Sequence, residues 1–160
     1  MSQRTEKNPQ DKIEIKAGNL TSRRVFSLRS LEDLARKVLK AQKIRRASIS
    51  VVLVDAPFMR SLNKRYLSKD RSTDVLSFDL KALPGMRPVC LFGDIVVSVD
   101  AADKASKTHN VPFRQELCRY IIHGILHLTG YDDRMRAERK KMWKRQEELL
   151  RDLFDARFCP

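Results

Sequence analysis

The feature that most constrains this chain is an apolar stretch that two histidines interrupt. Between Tyr120 and Leu128 almost the only polar side chains are His123 and His127. On a helix, residues four apart lie on one face, one turn from each other. Two imidazoles at this spacing can chelate one ion, as in the helical His-x-x-x-His of zinc peptidases. Burial also favours the neutral imidazole that binds metal. The stretch therefore predicts a buried metal-binding helix, in preference to two core histidines bonded to the backbone.

The residues that follow extend this predicted site. Gly130 is expected to end the helix, because glycine accepts the left-handed conformation that turns the chain back. A side chain just beyond the turn can reach the ion as a third ligand, and Asp132 and Asp133 are the candidates. Zinc peptidases carry a glutamate general base directly after the first histidine, where this chain has Gly124. The missing base argues against a peptidase.

Length and charge restrict the class of protein. The 160 residues predict a single domain, 1–160, with a sizeable core and a disordered tail at 1–11. The formal net charge of +13 exceeds what solubility alone requires, which favours a polyanionic partner, nucleic acid by default.

Hydrophobicity and cysteine usage bear on the compartment. There is no apolar window of about 18 residues and no secretory signal pattern, so we expect no membrane association. The three cysteines are widely spaced, with no Cys-x-x-Cys. This pattern is typical of free thiols in a reducing compartment and indicates a cytoplasmic location.

Hydrophobic periodicity predicts the elements. In chain order they are strand 12–16, a helix opened by Ser30, strand 47–54, a helix capped by Asp55, strand 74–78, an irregular and mobile loop 79–88, strand 91–99 broken near Gly93, a short helix near 101–105, a long helix opened at 111–112, and a last helix to about 154. This order predicts an α/β (α+β) domain with one small mixed sheet and helices packed on it.

Three sequence blocks carry a resemblance to a known family. The first runs from Met59 through Asn63 and Tyr66 to the Thr-Asp-Val-Leu-Ser-Phe of residues 73–78. The second is Gly-Asp-Ile-Val at 93–96, and the third is the His-Gly-x-Leu-His-Leu-x-Gly-Tyr-Asp of residues 123–132. In order and approximate spacing, over roughly residues 45–150, the chain resembles the YbeY family.

The resemblance implies a zinc-dependent, single-strand-specific endoribonuclease that acts in ribosomal RNA maturation and ribosome quality control. It implies a four-stranded mixed sheet surrounded by about five to six helices, and partners that include ribosomal RNA and the ribosomal subunit. The family pattern is His-Gly-x-Leu-His-Leu-x-Gly-Tyr-Asp-His, in which all three histidines are ligands. His123 and His127 match two of them, and Asp133 stands in place of the third. We therefore expect these three residues to be the metal ligands and the catalytic centre.

The chain departs from the family pattern at two functional positions. Zinc accepts a carboxylate ligand such as Asp133, but the site is then less positive than with three neutral imidazoles. Leu67 stands where the family usually has an arginine that serves RNA binding, so Arg65, Lys69 and Arg71 are the expected RNA contacts. The alternative function is a catalytically weakened YbeY-like assembly factor that binds RNA or the ribosome.

Several other polar residues have predicted roles. Asp132 is expected to orient a ligand by a hydrogen bond, and Asp94 to fix a turn or support the site. Asn63 and Ser77 either line the cleft or bond turns, and His109 is expected to be a plain surface histidine. Two basic groups are expected to border the site, at residues 60–71 and 134–145.

Overall fold

The computed structural model describes residues 12–80 and 90–154. Within these ranges it contains four strands and five helices: β1 (Lys12–Asn19), α1 (Leu28–Ala41), β2 (Arg46–Val54), α2 (Ala56–Leu67), β3 (Val75–Asp79), β4 (Leu91–Ser98), α3 (Val99–His109), α4 (Phe113–Leu128) and α5 (Arg136–Leu153).

The four strands form one mixed sheet in the order β1-β2-β4-β3. Strands β1, β2 and β4 are parallel, and β3 runs antiparallel to β4 at one edge. The fold class predicted from the sequence is confirmed.

The two faces of the sheet bury different helices. Because successive side chains point to opposite faces of a strand, Ile95 and Val97 belong to a large core shared with α1, α4 and α5. Val96 instead packs in a small cluster with Met59 of α2. Helix α4 is therefore covered by the sheet on one side and by α1, α3 and α5 elsewhere, which explains its nearly continuous apolar sequence.

The carboxyl end of α4 is fixed by backbone hydrogen bonds. Tyr131 N donates to Leu126 O at 3.0 Å, and Gly130 N donates to His127 O at 3.1 Å. This pair of bonds is a Schellman motif, which requires the left-handed residue that Gly130 supplies with a φ of +101°. The predicted helix end is confirmed, and the chain turns back beside the two histidines.

Two glycines let α4 approach the sheet. A Cβ atom on Gly124 would lie 2.6 Å from Ile95 Cγ2, and one on Gly93 would lie 2.6 Å from Phe78 O and 2.8 Å from Leu128 Cδ2. The predicted break at Gly93 is wrong, because β4 runs through this residue and pairs on both sides. Gly93 allows α4 to pack closely against the strand. A glycine in a strand sequence is compatible with either a bulge or such a close contact, so the sequence alone does not separate the two.

The helix starts and ends differ in detail from the prediction. Helix α1 begins at Leu28, because the cap is Ser27, whose side chain accepts a hydrogen bond from Ser30 N. Asp55 caps α2 as predicted. Strand β4 ends at Ser98, which caps α3. The expected tail 1–11 and residues 81–88 of the expected loop lie outside the described residues.

The sequence pattern places Phe58, Met59, Leu62 and Tyr66 on the apolar side of α2, and the structure contradicts this prediction for the two aromatic residues. Phe58 and Tyr66 are exposed, whereas Met59 is buried together with the polar Asn63. The α2 helix covers only part of the sheet face on which it packs.

Across the described ranges, no helix combines the length and the apolar character needed to cross a membrane.

Candidate metal centre

The structure brings the side chains of His123, His127 and Asp133 together. The two Nε2 atoms lie 3.1 Å apart. Asp133 Oδ2 lies 3.8 Å from the Nε2 of His123 and 3.7 Å from the Nε2 of His127. One ligand atom from each residue falls within 4.8 Å of the others, so this group could hold a metal ion.

The other ring nitrogen of each histidine has a hydrogen-bond partner. His127 Nδ1 lies 3.2 Å from the carbonyl oxygen of Tyr131, and His123 Nδ1 lies 2.8 Å from Oε1 of Gln146 on α5. These oxygens accept, so each Nδ1 carries the proton when the ring is neutral. Both Nε2 lone pairs then point to a common position, which is the arrangement that a cation stabilises.

The donor set fits zinc. With Zn–N bonds of about 2.0–2.1 Å, two nitrogens of a tetrahedral site are about 3.4 Å apart, close to the 3.1 Å found here. Two imidazoles and one carboxylate are also the number and kind of protein ligands in catalytic zinc sites. Three protein ligands would leave one position of a tetrahedral zinc site open for water or substrate.

Burial and solvent access differ across the site. Burial lowers the pKa of His123 below its ordinary value, although the hydrogen bond with Gln146 acts in the opposite direction. The neutral, metal-binding form therefore persists to lower pH than for a free histidine. Asp133 is 43% exposed, so the site opens to solvent on the side of the carboxylate.

A pocket of about 220 Å³ adjoins His123. Its lining includes Asp74, Tyr120, Asp133, Arg139 and Trp143. Burial raises the pKa of Tyr120 to about 12, so its phenol is neutral at physiological pH. Asp74 adds a second carboxylate to this pocket, and its Oδ1 accepts from Val75 N at 3.0 Å.

Helix α5 is tied to α4 behind the site. Arg119 donates from Nε and Nη2 to the two carboxylate oxygens of Glu147, at 2.8 and 3.1 Å, and also pairs with the buried Glu116. Gln146 Nε2 donates to Glu147 Oε1 at 3.1 Å. The amide that contacts His123 is thus itself held by a carboxylate with a fixed arginine partner.

Comparison with known proteins identifies the family. The family model described as Endoribonuclease YbeY matches residues 16–154. The Endoribonuclease YbeY of Persephonella marina is 33% identical over 131 residues, which are 81% of this chain and 86% of that protein. The chain belongs to the YbeY family. The Endoribonuclease YbeY of Anaeromyxobacter sp. is 42% identical over 66% of this chain but only 54% of its own length.

A solved structure agrees with this assignment. The solution structure of TM1509 from Thermotoga maritima matches with a TM-score of 0.61 and 28% sequence identity, over 88% of this chain and 89% of that one. The resemblance to the YbeY family read from the sequence is confirmed.

Several polar residues of the YbeY blocks have contacts that differ from the prediction. Asp132 does not bond either histidine of the candidate site: it accepts hydrogen bonds from Arg134, and these hold the pKa of Asp132 well below its ordinary value. Asp94 accepts from Ser50 Oγ at 2.5 Å in a groove on the α2 face of the sheet, whereas α4 packs on the other face. Asp94 therefore does not support the histidine site.

The remaining polar residues bond the backbone or face solvent. Ser77 Oγ donates to Gly124 O at 3.1 Å, which ties β3 to α4 between the two histidines. Asn63 Nδ2 donates to Arg71 O at 2.7 Å and holds the turn after α2. His109 is 60% exposed, as predicted, and its Nδ1 lies 3.7 Å from Glu116.

The predicted RNA-binding residues lie at and after the end of α2. Arg71 lines an open cleft of about 640 Å³ together with Arg60 and Asp70, and this cleft does not include the histidines. Leu67, at the position of the usual YbeY arginine, is 49% exposed. Of the second basic group, Arg139 lines the pocket beside His123. Only this second group reaches the candidate metal centre in the described structure.

Gln146 and Trp143 of α5 are site residues that sequence reasoning missed. A signal for Gln146 was present, since it lies four residues after the buried Met142 and three before the buried Leu149. A polar residue on the buried face of a helix requires a partner, and here that partner is a candidate ligand.

Proposed function

We propose that this chain is a zinc-dependent, single-strand-specific endoribonuclease that acts in the cytoplasm on ribosomal RNA, in its maturation and in ribosome quality control. The observation that carries the proposal is the convergence of two imidazole nitrogens and one carboxylate oxygen in a member of the YbeY family. The net charge of +13 supports a polyanionic substrate.

The chain's own residues would act as follows. His123, His127 and Asp133 hold the ion, while Gln146 and the carbonyl of Tyr131 fix the two imidazoles so that Nε2 faces it. A bound zinc ion supplies Lewis-acid chemistry at a phosphoryl oxygen and lowers the pKa of water. The cationic Arg139, which lines the same pocket, attracts the phosphate of the substrate strand.

The direct test is cleavage of single-stranded ribosomal RNA fragments by the zinc-loaded chain. The histidines offer a matched control, because the chain has three and His109 is exposed and outside the site. We expect His123→Ala and a chelator each to abolish cleavage, and His109→Ala to cut like the parent. Cleavage that persists after both the chelator and His123→Ala would contradict the proposal.

A second candidate function is a catalytically weakened assembly factor that binds RNA or the ribosomal subunit. Asp133 and Leu67 favour it, because the first reduces the charge of the site and the second leaves an exposed apolar residue at the position of the usual arginine. RNA retention without cleavage in excess zinc would support this function. Restored cleavage in Asp133→His would then identify the carboxylate as the cause.

A further inference from the structure

The exposed face of α5 next to the candidate metal centre carries one large aromatic residue among cations. Trp143 is 62% exposed, although an indole ring is among the side chains that gain most from burial. It lines the pocket of about 220 Å³ that also includes His123, Asp133 and Arg139. The ring is therefore accessible to a ligand at the mouth of the candidate site.

The helix geometry explains how Trp143 reaches this pocket. Gln146, which contacts His123, lies three residues after Trp143 and therefore on a neighbouring part of the same helix surface. Arg139 lies four residues before Trp143, and its Nε donates to Asp133 O at 2.9 Å. The indole thus stands beside the candidate ligands and is held there by a helix that is anchored to α4.

The surroundings of Trp143 are cationic. Arg136, Lys140 and Lys144 are exposed on α5, and none of them has an acidic partner within 4.0 Å in residues 12–80 and 90–154. Unpaired cations beside an exposed aromatic ring are the combination by which proteins bind single-stranded nucleic acid, with phosphates on the cations and bases stacked on the ring.

We propose that Trp143 is a stacking surface for one unpaired nucleobase of an RNA strand whose adjacent phosphate lies at the His123–Asp133 site. The pocket volume suits this role, since about 220 Å³ is less than the roughly 300–1,000 Å³ of pockets that enclose a whole drug-sized ligand. A base in a duplex is already stacked and paired, so the site selects single strands. The choice of RNA as ligand rests on the proposed function.

The chain contains a single tryptophan, so its intrinsic fluorescence reports on Trp143 alone. The experiment titrates the 160-residue chain, both zinc-loaded and metal-free, with single-stranded oligouridylate and records tryptophan emission, together with the anisotropy of a labelled copy of the same RNA. We expect saturable quenching that follows the anisotropy curve, and a much smaller effect with duplex RNA of equal length.

Variants separate stacking from general binding. Trp143→Ala should weaken binding about tenfold, within the range that loss of one base–aromatic stack gives, and Trp143→Phe should retain most of the affinity. In cleavage by the zinc-loaded chain, Trp143→Ala should raise KM more than it lowers kcat. Phe58→Ala is the matched control, because Phe58 is also an exposed aromatic, 43% accessible, but lies on α2 at the opposite face of the sheet.

The outcomes distinguish this inference from the proposed function. If RNA binds by anisotropy while emission is unchanged and Trp143→Ala binds as the parent does, the stacking surface is refuted and the nuclease stands. Quenching without cleavage in excess zinc supports the stacking surface and refutes the nuclease. If no RNA binds at all, as for a face that serves an acidic protein partner, both are refuted.

Discussion

Replacing Gln146 by leucine tests whether α5 controls the candidate metal centre. The Gln146 amide oxygen lies 2.8 Å from His123 Nδ1, and the residue is only 6% exposed. Leucine fills a similar volume without an acceptor. The Nδ1 proton of His123 then has no protein partner, and neither the tautomer nor the orientation of the ring is fixed.

The expected loss can be estimated from the contact. Removing a hydrogen-bond partner of a ligand histidine typically weakens metal binding about 10–100-fold, or about 1.4–2.7 kcal/mol. The side chain of His123 is 23% exposed, so water can replace part of the lost bond. We therefore expect a loss near the lower limit, about tenfold.

The assay is the zinc dissociation constant at neutral pH, measured by competition with a chromophoric chelator. Gln42→Leu is the control. Gln42 Oε1 also accepts one side-chain hydrogen bond, from Arg145 Nε at 2.8 Å, but this bond does not involve either histidine of the candidate site. Equal zinc affinity in Gln146→Leu and the parent would refute the reasoning.

Two further variants test the packing of α4. Gly124→Ala places a Cβ atom 2.6 Å from Ile95 Cγ2 and should lower the free energy of unfolding by about 1–2 kcal/mol, since overpacking exceeds the gain in helix propensity; a stabilised variant in urea denaturation would contradict this. Arg119→Met leaves the buried Glu116 without its arginine and should cost about 3 kcal/mol. Burial alone would raise the pKa of Glu147, but hydrogen bonds donated by Arg119 and Gln146 lower it below its ordinary value. The contribution of the ionised Glu147 to the free energy of unfolding is therefore fully present above pH 4.5 and is lost as the pH falls through the lower pKa of the folded state. The difference in unfolding free energy between the parent and Arg119→Met should therefore become smaller in acid. A difference that does not change with pH would contradict the role given to the Arg119–Glu147 pair.

The sequence predicted the parts of the fold that depend on local patterns. In α1, apolar residues recur at helical spacing at Leu31, Leu34, Ala35, Val38 and Leu39. This stripe, the Asp55 cap and the end of α4 at Gly130 each follow from spacing or from one residue's conformational preference, and the structure has all three. The approach of His123 to His127 is equally local, because four residues make about one helical turn.

The contacts that sequence reasoning missed depend on how distant elements pack. Gln146 meets His123 only because α5 lies on α4, and no pattern within either helix specifies that register. Asp94 was misplaced for a similar reason, since a strand alternates its side chains but the helix on each face comes from elsewhere in the chain. The bond of Asp132 to Arg134 was missed for a different reason: two acids stood next to each other, and only the turn geometry decides which one faces the histidines.

The most direct test of the account is the zinc stoichiometry of the folded chain, measured by equilibrium dialysis for the parent and for single alanine variants. We predict one zinc ion per chain in the parent and in His109→Ala. We predict its loss in His123→Ala, His127→Ala and Asp133→Ala, each of which should remain folded by circular dichroism. A folded parent that binds no zinc, or three variants that all retain it, would contradict the claim that these side chains share one ion.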